Sequence, residues 1–174
     1  MIFRNLTMAG FKSFAEKVEI DIDPGLTGIV GPNGCGKSNI VEAMRWIMGE
    51  SSARQMRGTE MDDIIFAGTE NRPARNLAEI LLKLDNSNRT APADFNNADE
   101  LEIIRKVQRG KGSSYLINGR PARAKDVQLL FADTASGARS AGIVSQGRIG
   151  AIVGAKPEDR RSLIEEAANI KGLH

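Results

Sequence analysis

Cysteine and histidine are almost absent from this sequence, which contains one residue of each. The single cysteine, Cys35, excludes an internal disulfide and is typical of a reducing compartment. No stretch reaches the ~18 consecutive apolar residues of a membrane-spanning helix, and Arg4 and Lys12 interrupt the apolar opening before a signal-peptide core forms. No cluster of cysteine or histidine suggests a metal site. We therefore expect an untargeted intracellular protein without a membrane partner.

An excess of charge of either sign is also missing. Lysine and arginine number 24 against 22 acidic residues, a net charge of +2, so the distribution of charge is more informative than its total. The apolar fraction of 41% and the charged fraction of 26% are ordinary for a soluble globular protein. A chain of 174 residues is long enough for one domain with a sizeable core. This composition excludes a fibrous or a disordered protein.

Alternation of apolar and polar residues predicts most of the secondary structure. Val18, Ile20 and Ile22 alternate with acidic residues, which is typical of a half-buried strand. The predicted strands cover residues 3–8, 18–22, 26–30, 62–66, 78–84, 101–107 and 114–117. Residues 86–100 are rich in Asn, Asp and Pro, which predicts a surface loop, and Asn118-Gly119 predicts a tight turn.

Two further segments show helical spacing. One begins just after the glycine-rich run, where the apolar positions are Ile40, Val41, Met44, Ile47 and Met48. The other covers residues 157–171 and has Pro157 near its first turn. The glycine-rich run is therefore predicted to lie between a strand, at residues 26–30, and a helix.

The glycine-rich run itself matches the pattern of a phosphate-binding loop. Gly31, Gly36, Lys37 and Ser38 occupy the defining positions of G-x-x-x-x-G-K-[ST]. In such a loop backbone N–H groups converge on phosphate at a helix N-terminus, the lysine reaches the β- and γ-phosphates, and the hydroxyl binds Mg²⁺. The alternative is a glycine-rich turn that binds nothing. The strand-loop-helix context favours a nucleotide site.

A hydrolase of this type also needs an aspartate at the end of an apolar strand to hold Mg²⁺. Asp133 follows four apolar residues, but Val127, Leu130 and Phe131 have helical spacing, which favours a helix there. Leu84-Asp85 is a weaker candidate because Lys83 interrupts the apolar run. The sequence therefore predicts a nucleotide site without its catalytic acid.

Several short segments, taken together, resemble one family. They are GFKSF at residues 10–14, GIVGPNGCGKSN at 28–39, Met56-Arg57-Gly58, DDIIFAG at 62–68, IVSQG at 143–147 and IEEAA at 164–168. In this order the chain resembles the N-terminal half of the ATPase head of a structural-maintenance-of-chromosomes (SMC) protein of the bacterial condensin type.

The resemblance implies a fold and a domain organisation. The fold is the α/β N-terminal lobe of a P-loop NTPase head of the ABC type, with a mixed sheet, helices and a C-terminal helix that starts a coiled-coil arm. Residues 1–156 would form the lobe and residues 157–174 the helix leading into the arm. The rest of the arm, the hinge and the C-terminal lobe are absent from this chain.

The resemblance also implies the site residues and the cofactors, ATP and Mg²⁺. ATP would contact Lys12, Ser13, Pro32, Asn33, Gly34, Cys35, Gly36, Lys37, Ser38 and Asn39. Gln146 matches the Q-loop residue that contacts Mg²⁺ and the attacking water, and Arg57 matches an arginine that acts near nucleotide and DNA. Lys37, Gln146 and Arg57 would be the catalytic residues, and Ser38 and Gln146 the metal ligands. Without the resemblance, Gln146 is a polar residue at a strand end and Arg57 a solvated arginine.

The function that the resemblance implies belongs to the full-length protein. Two heads would sandwich ATP, hydrolyse it and act on DNA in chromosome condensation, organisation and segregation, in the nucleoid-containing cytoplasm. The expected partners are the C-terminal half of the same head, a second head in a homodimer, a kleisin-type subunit with its accessory proteins, and double-stranded DNA bound without sequence specificity. This chain alone is expected to be inactive, because the Walker B aspartate, the catalytic glutamate and the signature motif lie in the missing half.

One stretch is basic without any acidic residue. Residues 103–125 contain Arg105, Lys106, Arg109, Lys111, Arg120, Arg123 and Lys125. Such a stretch can neutralise duplex phosphates without reading bases, although a solvated hairpin face has the same composition. Arg120, Arg123 and Lys125 are the preferred DNA-binding candidates, together with Arg57.

Three alternatives remain open from the sequence. The chain can belong to another coiled-coil DNA-repair ATPase of the Rad50 or RecN kind, although GFKSF and VSQG favour SMC. It can be a self-contained P-loop enzyme such as a small kinase, with Asp133 serving Mg²⁺. It can also be a DNA-binding module whose phosphate loop is only a relic, in which case salt-sensitive duplex binding would occur without ATP binding.

Overall fold

A computed structural model describes residues 1–25, 27–50, 61–132, 154–158 and 161. Six strands form one sheet in the order β2-β1-β3-β4-β5-β6. They are β1 (Ile2–Ala9), β2 (Val18–Asp21), β3 (Leu77–Asp85), β4 (Glu100–Gln108), β5 (Gly112–Ile117) and β6 (Arg120–Ala122). The helices are α1 (Lys37–Ile47) and α2 (Ala124–Ala132), and short 3-10 turns occupy Met61–Ile64 and Ala93–Phe95. The expected mixed sheet has only antiparallel pairs within these described residues.

The sheet forms where the sequence alternates. On β3 and β4 every second residue is buried, including Ile80, Leu82 and Ile103, so these strands turn one face to the core. α1 lies against β3 and β4, with Trp46 and Ile47 fully buried. The phosphate-loop helix is therefore seated on the middle of the sheet.

The sheet has two distinct ends, and the phosphate loop is close to one of them. At the near end β1 finishes at Ala9 and β5 begins at Gly112. At the far end Ile2 pairs with Asp85, and Asp85 pairs with Glu100. The turn that follows β1 touches the phosphate loop, so the loop belongs to the near end.

Two predicted strands are wrong in the described residues. Residues 27–30 form no strand, and Ile29 and Val30 are 46% and 93% exposed. A strand needs a hydrogen-bonded neighbour, and no described segment pairs with this one. Of residues 62–66, the first three lie in the 3-10 turn Met61–Ile64, and only Ile65 makes an isolated bridge, to Phe11. The carbonyl and N–H groups of this segment bind the turn after β1 instead of a ladder.

Several other predictions are confirmed. The Asn118-Gly119 turn has positive φ values of 47° and 76°, as a two-residue hairpin requires. The segment after β3 is a loop, organised by the fully buried Asn86, whose side chain donates to the Ala98 carbonyl at 2.9 Å. Residues 124–132 form a helix rather than a strand, with Leu130 and Phe131 in the core.

The terminal helix predicted for residues 157–171 is only partly described. Pro157, Glu158 and Arg161 have helical backbone, and the remaining residues lie outside the described ranges. Over the described ranges, no helix combines the length and the apolar character that crossing a bilayer demands.

Candidate nucleotide-binding site

The phosphate loop leads directly into α1. Gly34 and Gly36 adopt positive φ values of 80° and 99°, which glycine tolerates best. Gly36 is the N-cap of α1, makes no side-chain cap hydrogen bond, and is followed by a first turn without acidic residues. The first N–H groups of α1 are therefore not capped by a side chain, and the helix end carries partial positive charge, which favours an anion.

The loop has no room for side chains where its glycines approach other groups. A Cβ added to Gly36 would lie 2.8 Å from the Ser13 Oγ and 3.2 Å from the Phe14 Cζ. A Cβ added to Gly31 would lie 2.9 Å from the Cys35 Sγ. Pro32, Asn33, Gly34 and Cys35 are exposed. The loop is thus a narrow, open backbone cradle, which suits a phosphate group.

Lys37 places a positive charge on this cradle. Its Nζ donates to the Gly31 and Pro32 carbonyls, both at 2.6 Å, so the side chain folds back over the loop. The Ser38 side chain follows in the first turn of α1 and is half-buried. The Lys37 ammonium and the N–H groups of the helix start can donate hydrogen bonds to a triphosphate, and the Ser38 hydroxyl oxygen can bind Mg²⁺. The residues present therefore fit both ligands.

The GFKSF segment forms a tight turn against the loop. Phe11 and Phe14 exchange both backbone hydrogen bonds, at 3.0 and 2.8 Å. The Ser13 hydroxyl accepts a hydrogen bond from the Asn39 Nδ2 at 2.8 Å, which ties the turn to α1. Ser13 therefore lies beside the phosphate loop, and its contact with ATP stays a prediction.

Lys12 is directed elsewhere. Its ammonium forms an ion pair with Glu42 of α1, and the two side chains are only 13% and 7% exposed. Its backbone has a positive φ of 47°, and its N–H donates to the Ile64 carbonyl at 2.8 Å. In this structure Lys12 clamps the turn to α1 and to residues 61–64 rather than facing the phosphate loop.

Gln146, Arg57 and Asp133 lie outside the described residues, so their predicted roles stay predictions. The site brought together by the structure consists of the phosphate loop, the start of α1 and the Ser13 turn. No group of three or more potential metal-ligating side chains occurs among the described residues.

Asp85, the weaker candidate for a magnesium-binding acid, is at the wrong end of the sheet. It lies at the far end, where it binds the Arg4 Nη2 at 2.5 Å and accepts the Ser87 N–H at 2.8 Å. The hydrogen bonds from Ser87 and Arg4 hold the pKa of Asp85 well below its usual range. Its carboxylate therefore stabilises the β1–β3 end and is remote from the phosphate loop.

The basic stretch does not form one surface. Arg105 is only 4% exposed, so it is not available to DNA phosphate, and Lys106 pairs with Glu79 at 2.6 Å. Arg109 and Lys111 lie in the near-end β4–β5 loop, whereas Arg120 begins β6 at the far end. Six residues of β5 separate them, a length of about 17 Å.

Arg123 and Lys125 follow β6 and are exposed. Arg123 is paired with Asp126 at 2.9 Å, and the hydrogen bonds and charge of Asp126 raise the pKa of the guanidinium. Asp126 also accepts the Arg123 backbone N–H at 2.9 Å, which caps the start of α2. Arg120 and Lys125 are thus the members of the preferred group without an ion pair among the described residues.

Sequence reasoning missed the place of Arg105 in the core. The signal was present, because Leu101, Ile103, Arg105 and Val107 occupy alternate positions of β4 and share its buried face. Burial lowers the pKa of Arg105, and it raises the pKa of the adjacent Tyr115 to about 12. Tyr115 therefore stays neutral at neutral pH.

Comparison with known proteins finds similarity to SMC proteins over most of the chain. Residues 2–137 match the family described as RecF/RecN/SMC N terminal domain. A chromosome partition protein Smc from Rhodopseudomonas palustris is 60% identical over 174 residues, which is 100% of this chain and 15% of that protein. The chain therefore spans about 15% of the length of this relative.

Solved structures show the same fold. An Smc head domain from Pyrococcus furiosus with an extended coiled coil, bound to the C-terminal domain of ScpA, superposes with a TM-score of 0.86 at 36% identity, covering 95% of this chain and 41% of that chain. A structure from work on ATP-driven dimerization and DNA-stimulated activation of SMC ATPases gives a TM-score of 0.82 at 35% identity, covering 96% of this chain and 99% of that chain.

Proposed function

Because this chain belongs to the RecF/RecN/SMC N-terminal domain family, we propose that it is the ATP-binding half of an SMC ATPase head. The observation that carries the proposal is the phosphate loop itself, with Lys37 folded over its carbonyls and the Ser13 turn closing one side. The matches to SMC proteins favour this function over a self-contained kinase or a DNA-binding module with a relic loop.

Each residue of the site has a defined task in this proposal. The loop N–H groups and Lys37 bind and orient the triphosphate, and the Ser38 hydroxyl holds Mg²⁺. When bound, Mg²⁺ neutralises charge that develops on the phosphate oxygens. The Ser13 hydroxyl borders the phosphates, and Asn39 fixes the position of that hydroxyl. Gln146 would orient the attacking water, and Arg57 would act near nucleotide and DNA.

The remaining catalytic groups are proposed to come from a second polypeptide segment. Residues 1–156 would form the N-terminal lobe, and residues 157–174 would start a coiled-coil arm. The exposure of Ile29 and Val30, in a segment whose sequence predicts a strand, supports a partner strand supplied by the C-terminal lobe. Such a lobe would also bring the Walker B aspartate, the catalytic glutamate and the signature motif, so that this chain alone hydrolyses no ATP.

The proposed assembly follows from the relatives. One solved relative is described as bound to ScpA, and another comes from work on ATP-driven dimerization. We extend both features to this chain: a second head completes the ATP sandwich, and a kleisin-type subunit with its accessory proteins joins the head. The protein would act in the cytoplasm on the nucleoid, in chromosome condensation and segregation.

Double-stranded DNA is the proposed polymer ligand. Arg120, Arg123 and Lys125 lie close in sequence on exposed backbone around β6 and the start of α2, and Arg57 is proposed to join them. Such side chains would contact phosphates without reading bases, so binding would be nonspecific and salt-dependent.

The test is ATP turnover by the 174-residue chain alone and after mixing with the C-terminal lobe of the same protein. We expect no turnover alone and turnover on mixing that Lys37→Ala abolishes. Lys83→Ala, which removes an exposed ammonium on the sheet, is the matched control and should leave turnover unchanged. Equal turnover without the second lobe would refute the split site.

A further inference from the structure

A buried guanidinium holds the C-terminal end of α1. The Arg105 Nη1 donates to the Trp46 and Glu50 carbonyls, both at 2.6 Å, and its Nε donates to the Ser113 Oγ at 3.0 Å. The guanidinium carbon lies 4.3 Å from the Trp46 ring centroid and 4.7 Å from that of Tyr115. The guanidinium is therefore held by hydrogen bonds to the end of α1 and to β5, and it lies over the rings of Trp46 and Tyr115.

The contacts converge on one carbonyl. The Trp46 carbonyl accepts from the Arg105 Nη1, from the Tyr115 hydroxyl at 3.3 Å and from the Gly49 N–H at 3.2 Å. Carbonyls at a helix C-terminus carry partial negative charge, so a cation there is favourable. Burying a guanidinium is costly unless its donors are satisfied, and here the helix end binds Nη1 and Ser113 binds Nε. This joint fixes the direction in which α1 leaves the sheet.

The other end of the same helix is the proposed nucleotide site. α1 has 11 residues and is about 16 Å long, so it behaves as one rigid rod. Lys37 and Ser38 lie in its first turn. Asn39 binds the Ser13 hydroxyl and Glu42 pairs with Lys12, so this part of α1 also contacts the turn after β1. A change of direction at the Arg105 joint would therefore displace the lysine and the serine hydroxyl.

We propose that Arg105 is a positioning residue for the phosphate loop and acts through α1 without touching nucleotide. The inference rests on the proposed function, namely that Lys37 and Ser38 bind ATP and Mg²⁺. Catalytic and binding groups must be held within a fraction of an ångström, because small displacements reduce the reaction rate and the affinity for the ligand. The position of the β4–β5 hairpin therefore affects the position of Lys37 and Ser38 through Arg105 and α1.

The experiment measures binding of a fluorescent ATP analogue, N-methylanthraniloyl-ATP with Mg²⁺, to the head assembled from this chain and the C-terminal lobe. Arg105→Lys keeps the charge but loses the planar guanidinium, which binds two carbonyls through Nη1 and Ser113 through Nε. We expect its dissociation constant to rise about tenfold, with KM for ATP rising in parallel. Trp46 is the only tryptophan of the chain, so its emission in the isolated chain reports whether the joint has changed.

Leu101→Ala is the matched control, because Leu101 shares the buried face of β4 but lies four positions away, at the far end. It should lower the melting temperature while leaving the dissociation constant within about twofold of the wild type. Tyr115→Phe, which removes only the hydroxyl bound to Trp46, is the milder second variant should Arg105→Lys not fold. We expect it to weaken binding about twofold to threefold.

The possible outcomes distinguish a failure of this inference from a failure of the proposed function. Wild-type dissociation constants for Arg105→Lys and Tyr115→Phe, with an altered Trp46 emission, would show a merely structural residue and overturn the inference alone. An equal loss of affinity in Leu101→Ala would overturn it as well, because general destabilisation would then explain the effect. A wild-type head that fails to bind the analogue would refute the proposed function and, with it, this inference.

Discussion

Gly36 shows how little space separates the phosphate loop from the turn after β1. The distance of 2.8 Å between an added Cβ and the Ser13 Oγ is shorter than real Cβ contacts. Its φ of 99° adds a second reason for glycine, because an L side chain is strained in that conformation. The close contact and the backbone strain both act at Gly36, and a matched pair of variants separates their effects.

Gly36→Ala is expected to abolish measurable ATP binding and to destabilise the fold by about 2 kcal/mol or more, because backbone strain and the clash add. Gly25→Ala is the control, since Gly25 has a similar φ of 96° but nothing within 4 Å of an added Cβ. It should cost about 1 kcal/mol and leave ATP binding unchanged. Urea unfolding and nucleotide titration of both variants test this. Equal loss of binding in the two variants would contradict the steric account.

Asp85 gives a pH dependence that can be checked. Its folded-state pKa is lowered by its hydrogen bonds to Ser87 and Arg4, so the stabilisation is present above the unfolded pKa of about 3.9 and is lost as pH falls through the folded value. Asp85→Asn should therefore lower the urea midpoint at pH 7 and differ progressively less from wild type below about pH 4. Asp94→Asn, in the exposed 3-10 turn, is the control. A difference that stays constant with pH would rule out the charge as the cause.

At the scale of elements, the sequence predicted β1 to β5, whose partners lie within the described residues, and missed the three-residue strand β6. β3, β4 and β5 alternate clearly and pair with one another, so local pattern and tertiary contact agree. Residues 27–30 have an apolar pattern but no described partner, and a pattern cannot supply one. Residues 62–66 failed for a different reason, because their backbone groups bind the Gly10–Lys12 segment.

The site was predictable to a similar extent. The phosphate-loop motif predicted its glycines and Lys37 directly, since backbone geometry dictates those residue types. The direction of Lys12 toward Glu42 was not predictable, because it depends on where α1 lies relative to the turn. Folding divides the basic stretch, because strand β5 runs from one end of the sheet to the other. The basic residues before β5 therefore lie at the near end, and Arg120 lies at the far end.

This division makes a prediction about DNA. Lys125→Gln, beside β6, is expected to weaken duplex binding and to reduce the slope of log K against log salt by about 0.9 per lost phosphate contact. Lys111→Gln, at the opposite end of the sheet, removes the same charge and should leave both quantities unchanged. Fluorescence anisotropy with a labelled duplex at several salt concentrations distinguishes the two. A stronger effect of Lys111→Gln would move the proposed DNA surface to the near end.

At the scale of the whole molecule, the described residues contain one hydrophobic core and an exposed apolar segment. The core extends from the sheet to both helices, whereas Val30 is 93% exposed immediately before the phosphate loop. A second lobe that pairs with this segment would cover Val30 and would supply the missing acids beside the phosphate loop.

Val30→Asp should therefore leave the melting temperature of the isolated chain nearly unchanged, because the side chain is already exposed. It should prevent assembly with the C-terminal lobe, since the new carboxylate would be buried without a partner. Leu129→Asp, at a 54% exposed position on α2, is the control. Size-exclusion chromatography of mixtures reads out assembly. Unimpaired assembly of Val30→Asp would place the interface elsewhere.

The separation of the two sheet ends has a consequence for signalling between ligands. The Lys111 loop and Arg120 are separated by the length of β5, about 17 Å, which exceeds the Debye length of about 8 Å at physiological ionic strength. Charge arriving at one end is thus largely screened before its field reaches the other. Any coupling between DNA at the far end and ATP at the phosphate loop would therefore have to pass through the strands of the sheet and not through the field of the bound charges.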